Sequence, residues 1–133
     1  MSQENVEVVR RIYAEVSANA WEAPRELFDP EYAIDLTEAA PDVGVISGLD
    51  AAEAALHDYS ETFERFRIEL MELIHADEQC VVTAVRDGGQ LRGSDREVWN
   101  RFFHVWTFRD GRILRRSSHT HRDQALEAAG LSE

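Results

Sequence analysis

The sequence predicts an α+β fold, an antiparallel sheet with helices layered against it. Three observations predict it. Two segments repeat apolar residues at spacings of three and four, whereas from about Arg67 the spacing drops to two over four successive segments. Short turn signals, Ala76-Asp77-Glu78 and Asp110-Gly111 among them, separate those segments and make the strands a meander. A length of 133 residues suits one domain, residues 1–133, with one core and one enclosed pocket.

The first helix runs from Gln3 to about Asn19. Val6, Val9, Tyr13 and Val16 form its stripe, Ile12 widens it, and Ser2 is placed to cap it. A short second helix is expected from Glu22 to Phe28, stopped by Asp29-Pro30. Tyr32 to Leu36 alternates as a strand, and the loop Thr37 to Gly48 is long enough to form a lid or rim. Leu49, Ala52, Leu56, Tyr59, Phe63 and Phe66 then define a helix from Leu49 to about Phe66. Strands follow at about 67–75, 79–86, 96–109 and 112–120, with Asp87-Gly88-Gly89 and Gly93-Ser94-Asp95 as a longer connection. A helix from Asp123 to Ala129 ends at Gly130. Both faces of Val98–Phe108 carry large apolar groups, so a homodimer packing the open sheet face against its copy is expected.

Composition narrows the function. A formal charge of −12 argues against nucleic acid or an anionic membrane as partner. All basic residues are arginine; residues 1–85 carry a net −14 and residues 86–133 a net +2, so the second half tolerates an anionic neighbour. One cysteine, Cys80, excludes an internal disulfide framework and multi-cysteine metal centres. No apolar run approaches the ~20 residues of a membrane span, and Met1-Ser2-Gln3-Glu4 does not begin a signal peptide. A reduced, cytoplasmic, soluble domain is expected.

Several segments carry a resemblance: Asn5-Val6-Glu7-Val8-Val9-Arg10-Arg11-Ile12-Tyr13, Leu27-Phe28-Asp29-Pro30-Glu31, Gly48 before its helix, and Phe103-His104-Val105-Trp106-Thr107-Phe108-Arg109-Asp110-Gly111-Arg112-Ile113. With the tail Arg122 to Leu131, they resemble the SnoaL-like families of the nuclear transport factor 2-like superfamily. The resemblance implies a cone, a curved antiparallel sheet wrapped around a long helix with a deep apolar pocket inside. It does not choose the chemistry, since the superfamily holds isomerases, cyclases, dehydratases, epoxide hydrolases and binding proteins. Set against the ketosteroid isomerases within it, Ile12 falls on their oxyanion-hole tyrosine, Leu36 on their base aspartate and His104 on their protonated aspartate. None of the three identities survives.

His104 is the first functional candidate. It lies mid-strand between Phe102 and Trp106, where an apolar surround favours a neutral imidazole able to act as base or donor. A core histidine bonded to a carbonyl, Tyr13 or Tyr59 is the alternative. Asp35 is the expected carboxylate partner, unless it is an exposed strand residue. Tyr13 and Tyr59 are candidates to point hydroxyls into the cavity, or to be plain core. Ile12, Trp21, Phe63, Phe102 and Trp106 are expected pocket wall. His119 is a second acid–base candidate whose face the alternation leaves open, and with His121 it lacks an evident third metal ligand. His57 and His75 read as solvated. Arg101 and Arg116 are anion-binding candidates or surface residues. No nucleotide or strong metal motif occurs, so no cofactor or metal is expected.

Three readings remain open. One is a cofactor-free acid–base enzyme, of isomerase, dehydratase or cyclase type, acting on a small hydrophobic polyketide- or terpenoid-like molecule. The others are a non-catalytic hydrophobic-ligand binder and a dimeric scaffold or stress module.

Overall fold

A computed structural model describes residues 2–19 and 25–131. The chain runs through helix α1 (Ser2–Ser17), a 3₁₀ turn (Arg25–Leu27), strand β1 (Phe28–Asp35), strand β2 (Val45–Ser47) and helix α2 (Leu49–Ser60). Strands β3 (Arg67–Ala76), β4 (Cys80–Gln90), β5 (Glu97–Arg109) and β6 (Arg112–His119) then lead to helix α3 (Arg122–Ala128). The six strands make one curved, unclosed sheet in the order β2-β1-β6-β5-β4-β3. The meander is antiparallel, as expected. The sheet as a whole is mixed, because β1 returns to lie parallel against β6.

α1 sets one layer of the core. Val9, Ile12, Tyr13 and Val16 are buried and share the main cluster with Ala52, Phe63, Phe66, Val81, Val85, Trp106 and Ile113. Each fully buried aliphatic side chain of such a stripe contributes roughly 1.5–3 kcal/mol. A smaller cluster on the other side of the sheet joins Cys80, Val82 and Val105 to Ala125 of α3. The second apolar face that suggested a dimer is thus covered in part by the chain's own last helix. That helix ends in a Schellman motif: Leu131 N–H donates to Leu126 C=O at 2.8 Å and Gly130 N–H to Glu127 C=O at 3.0 Å, with Gly130 at φ 76°.

Four boundaries differ from the sequence reading. Phe28-Asp29-Pro30 opens β1 instead of ending a helix; residues 22–24 of that expected helix lie outside the described residues. The β1–β6 register slips between Phe28 and Ala33, which accommodates a proline with no N–H to donate. Part of the expected lid, Val45–Ser47, is a strand paired with β1. α2 ends at Ser60 although its apolar spacing continues to Phe66. Beyond it, Glu64 N–H donates to Gln90 C=O at 2.7 Å and Arg92 N–H to Thr62 C=O at 2.9 Å, so bonds to the end of β4 replace those of a further helical turn.

The fourth difference positions the site. Asp87-Gly88-Gly89 is not a connection but the continuation of β4, paired with Asn100, Trp99 and Val98 of β5. A Cβ on Gly88 (φ 143°) would lie 2.0 Å from the Val98 carbonyl oxygen, and one on Gly89 (φ 142°) would lie 2.5 Å from that of Arg65. Glycine lets the strand press against both neighbours and keep going. The alternation Val81, Thr83, Val85 therefore extends to Asp87, which is 6% exposed.

Candidate functional site

A cavity of about 280 Å³ lies between the sheet, α2 and the segment from Leu36 to Val43. That is close to the lower end of small-molecule sites, roughly 300–1,000 Å³. Its wall is mostly apolar, with Ile34, Leu56, Phe66, Ile68 and Phe102 prominent, and four sheet residues bring polarity into it: Asp87, His104, Arg116 and Ser118. Strand periodicity explains the grouping. His104 sits opposite Thr83 on β4 and Ser118 on β6, and Arg116 follows two residues along from Ser118 on the same face.

His104 is 2% exposed. The Tyr13 hydroxyl lies 2.8 Å from His104 Nδ1 and 2.9 Å from Thr83 Oγ1, and Trp106 Nε1–H donates to the same oxygen at 2.8 Å. Burial pushes the Tyr13 hydroxyl up to about 12, so it remains a phenol. Burial, then the charges of Arg116 and His119, hold His104 well below the ordinary histidine value, so its ring is neutral. The protons then fall into one economical arrangement. Trp106 and Thr83 donate to the Tyr13 oxygen, Tyr13 donates to Nδ1, and His104 carries its proton on Nε2. The reverse tautomer would strand the proton of Thr83, which is 0% exposed. With Nδ1 occupied, Nε2 is the ring nitrogen with no protein hydrogen bond among the described residues.

Asp87 occupies another part of the wall. Asp87 lies four positions beyond Thr83 on β4, about 13 Å of strand, so Asp87 and His104 mark opposite ends of one face. Tyr59 O–H donates to Asp87 Oδ1 at 2.8 Å, and Asn100 Nδ2–H donates to the Tyr59 oxygen at 3.0 Å. Burial holds the Asp87 carboxyl above the usual carboxylate range against these hydrogen bonds and the charge of Arg116. Asp87 was missed in the sequence because its two glycines read as a turn; carrying the alternation on from Val85 would have found it.

The remaining candidates are dispersed. Asp35 does not reach His104: it is ion-paired with Arg115, and its Oδ1 accepts the Thr37 N–H at 3.0 Å. Those partners, Thr37 foremost, bring its carboxyl down to about 2. His119 is buried with Nδ1 2.7 Å from Glu38 Oε1 and Nε2 2.8 Å from Ser117 Oγ, both ring nitrogens occupied outside the cavity. Tyr59 and Phe102 line the main cavity, Ile12 and Trp106 line a smaller one of about 60 Å³ beside it, and Phe63 is core. Trp21 lies outside the described residues. Arg101 is exposed, whereas Arg116 lines both cavities. His75 is not free in solvent; its Nε2 lies 2.7 Å from Asp77 Oδ2. That aspartate also accepts the Gln79 and Cys80 N–H groups, and with His75 and Cys80 it brings three ligand-type atoms within 4.8 Å of one another. No described helix is long and apolar enough to cross a membrane.

No curated protein matches the sequence. Solved structures share the architecture. Bal32a, from a soil-derived mobile gene cassette, is 21% identical, with 96% of each chain covered and a TM-score of 0.75. TerC, co-crystallised with polyporic acid, is 19% identical over 93% of this chain and 96% of its own, with a TM-score of 0.72. A protein from Jannaschia sp. CCS1 assigned as a SnoaL-like polyketide cyclase is 21% identical over 97% of this chain and 90% of its own, with a TM-score of 0.75. At such identities the likeness establishes the fold. The SnoaL-like domain model matches residues 9–116, and the chain belongs to that family.

Proposed function

We propose that the cavity binds a small, largely apolar molecule and catalyses a cofactor-free proton transfer on it, of the isomerase, dehydratase or cyclase type. One observation carries this reading: a neutral imidazole, a carboxyl with a raised pKa and a guanidinium share one mostly apolar cavity. A carboxylate that holds its proton more tightly than usual is a stronger base. Asp87 takes a proton from carbon; the electron pair moves to a carbonyl oxygen held by His104 Nε2–H, with the charge of Arg116 beside it. Return of the proton to another carbon gives the isomer. Tyr13 positions His104 and does not touch the substrate. The separation of Asp87 from His104 suits a conjugated substrate, in which charge created at one end is delivered to an oxygen at the other.

The same separation favours the second reading, a binding pocket without turnover. The expected homodimer and cytoplasmic location stay within the proposal. Half-buried Trp99 and Phe103 support the first.

Incubation in deuterium oxide with a panel of polycyclic and conjugated ketones, read by mass spectrometry, separates the readings. Wild-type protein is expected to catalyse exchange α or γ to the carbonyl, and His104→Ala to lower the rate at least about 100-fold while remaining folded. Binding of panel members without exchange contradicts the enzyme reading.

A further inference from the structure

The charged group that the fold leaves unanswered is Arg116. In a protein with 26 acidic residues, most arginines of the structure find a carboxylate: Arg109 takes Asp29 and Glu31, Arg86 takes Glu69, and Arg122 takes Glu72. Arg10, Arg65, Arg96, Arg101 and Arg112 make no ion pair among the described residues, but all five are exposed to water. Alone among the described arginines, Arg116 has neither a carboxylate partner nor an exposed position, and its Nε is buried without a hydrogen bond. It sits at the shared wall of the two cavities, with the Trp106 ring centroid 5.8 Å from its guanidinium carbon.

The nearby carboxyl groups do not answer it. Glu15, on the smaller cavity, gives Oε2 to Arg11 Nε at 2.8 Å and leaves Oε1 buried and unbonded. Glu53, on the same cavity, lies 3.6 Å from Arg25. Asp87 faces Tyr59. A guanidinium held among apolar walls attracts an anion far more strongly than one in water, and its planar donors fit a carboxylate or enolate edge.

We infer that the ligand of this cavity is an amphiphilic acid, an apolar ring body with one anionic oxygen function, carboxylate or enolate, received by Arg116. The inference rests on reading the cavity as a small-molecule site. It also gives Ser118 and His104 Nε2–H their place as the neutral donors flanking the anion.

Calorimetric titration with matched probes tests it: 2-naphthoate as carboxylate, 2-hydroxy-1,4-naphthoquinone as enolate and 2-naphthamide as neutral isostere. Wild-type protein is expected to bind one or both anions at least about tenfold more tightly than the amide, and the one preferred identifies the oxygen function. Arg116→Gln should abolish that preference while keeping the wild-type circular-dichroism spectrum, which reports an intact fold; Arg116→Lys should keep part of it. Equal affinity for acid and amide, an unchanged preference in Arg116→Gln, or no binding of either anion at millimolar concentration overturns the inference. Anion preference together with absent deuterium exchange would remove the catalytic reading and leave this one standing.

Discussion

Tyr13→Phe is expected to lower stability by about 3 kcal/mol, a fall in Tm of roughly 12 °C for a chain of this size. The substitution deletes one oxygen, yet that oxygen serves three buried groups: Trp106 Nε1, Thr83 Oγ1 and His104 Nδ1. Removing it leaves two donors and one acceptor unpaired where none can turn to bulk water, at roughly 1–3 kcal/mol for each group left unsatisfied. Thr83→Val in the same background should cost less than it does alone, because the Thr83 hydroxyl has then already lost its acceptor. Chemical denaturation of the four proteins of this cycle checks the prediction. A loss below about 1 kcal/mol would mean that the three groups find other partners and that Tyr13 does not fix the imidazole.

Asp87→Asn is expected to act in opposite directions on stability and activity. Burial raises the Asp87 pKa, so the folded protein binds this proton more readily than the unfolded chain does. The resulting stabilisation is complete below the unfolded carboxyl value of about 3.9 and is lost as pH rises through the folded value. Above that folded value the wild-type protein carries a buried carboxylate in unfavourable surroundings. Asparagine reproduces the neutral shape and still accepts the Tyr59 hydroxyl. The variant should melt at a higher temperature than wild type at pH 7, the gap closing as pH approaches 4. Deuterium exchange should fall at least about 100-fold, since the amide cannot take a proton. A lower Tm at pH 7 would assign Asp87 to structure, and undiminished exchange would remove it from the chemistry.

The architecture was largely legible because periodicity reports it directly. The two apolar stripes placed α1 and the start of α2, and the change of period at Arg67 placed the meander. What was hidden depended on partners distant in sequence. Phe63 and Phe66 keep helical spacing, yet the carbonyl of Gln90 draws Glu64 out of the helix. The parallel return of β1 beside β6 leaves no mark on Tyr32–Leu36 itself. At the site, alternation grouped His104 with Phe102 and Trp106, the family resemblance implied the pocket face, and the bond to Tyr13 was expected only for a core histidine. The same alternation sets Asp35 on the face away from Ile34 and Leu36, but the partner it meets there, Arg115, is 80 residues away in sequence. Asp87 was concealed by Gly88 and Gly89, residues that signal a turn in sequence and here permit a close backbone approach. Arg116 resembled its surface neighbours Arg112 and Arg115, and nothing local separates an arginine over a cavity from one over water.

The proposed chemistry depends on a neutral His104 held at Nδ1 by Tyr13 with its Nε2–H turned to the cavity. Multiple-bond proton–nitrogen NMR of the five imidazoles reads this directly, with Tyr13→Phe identifying the His104 signals. The ring is expected to be neutral at pH 7 and protonated on Nε2, staying neutral on acidification to pH values where an ordinary histidine is charged. Its Nε2 shift should move when 2-naphthoate binds. A ring protonated on Nδ1, or one titrating near 6.5, would contradict it.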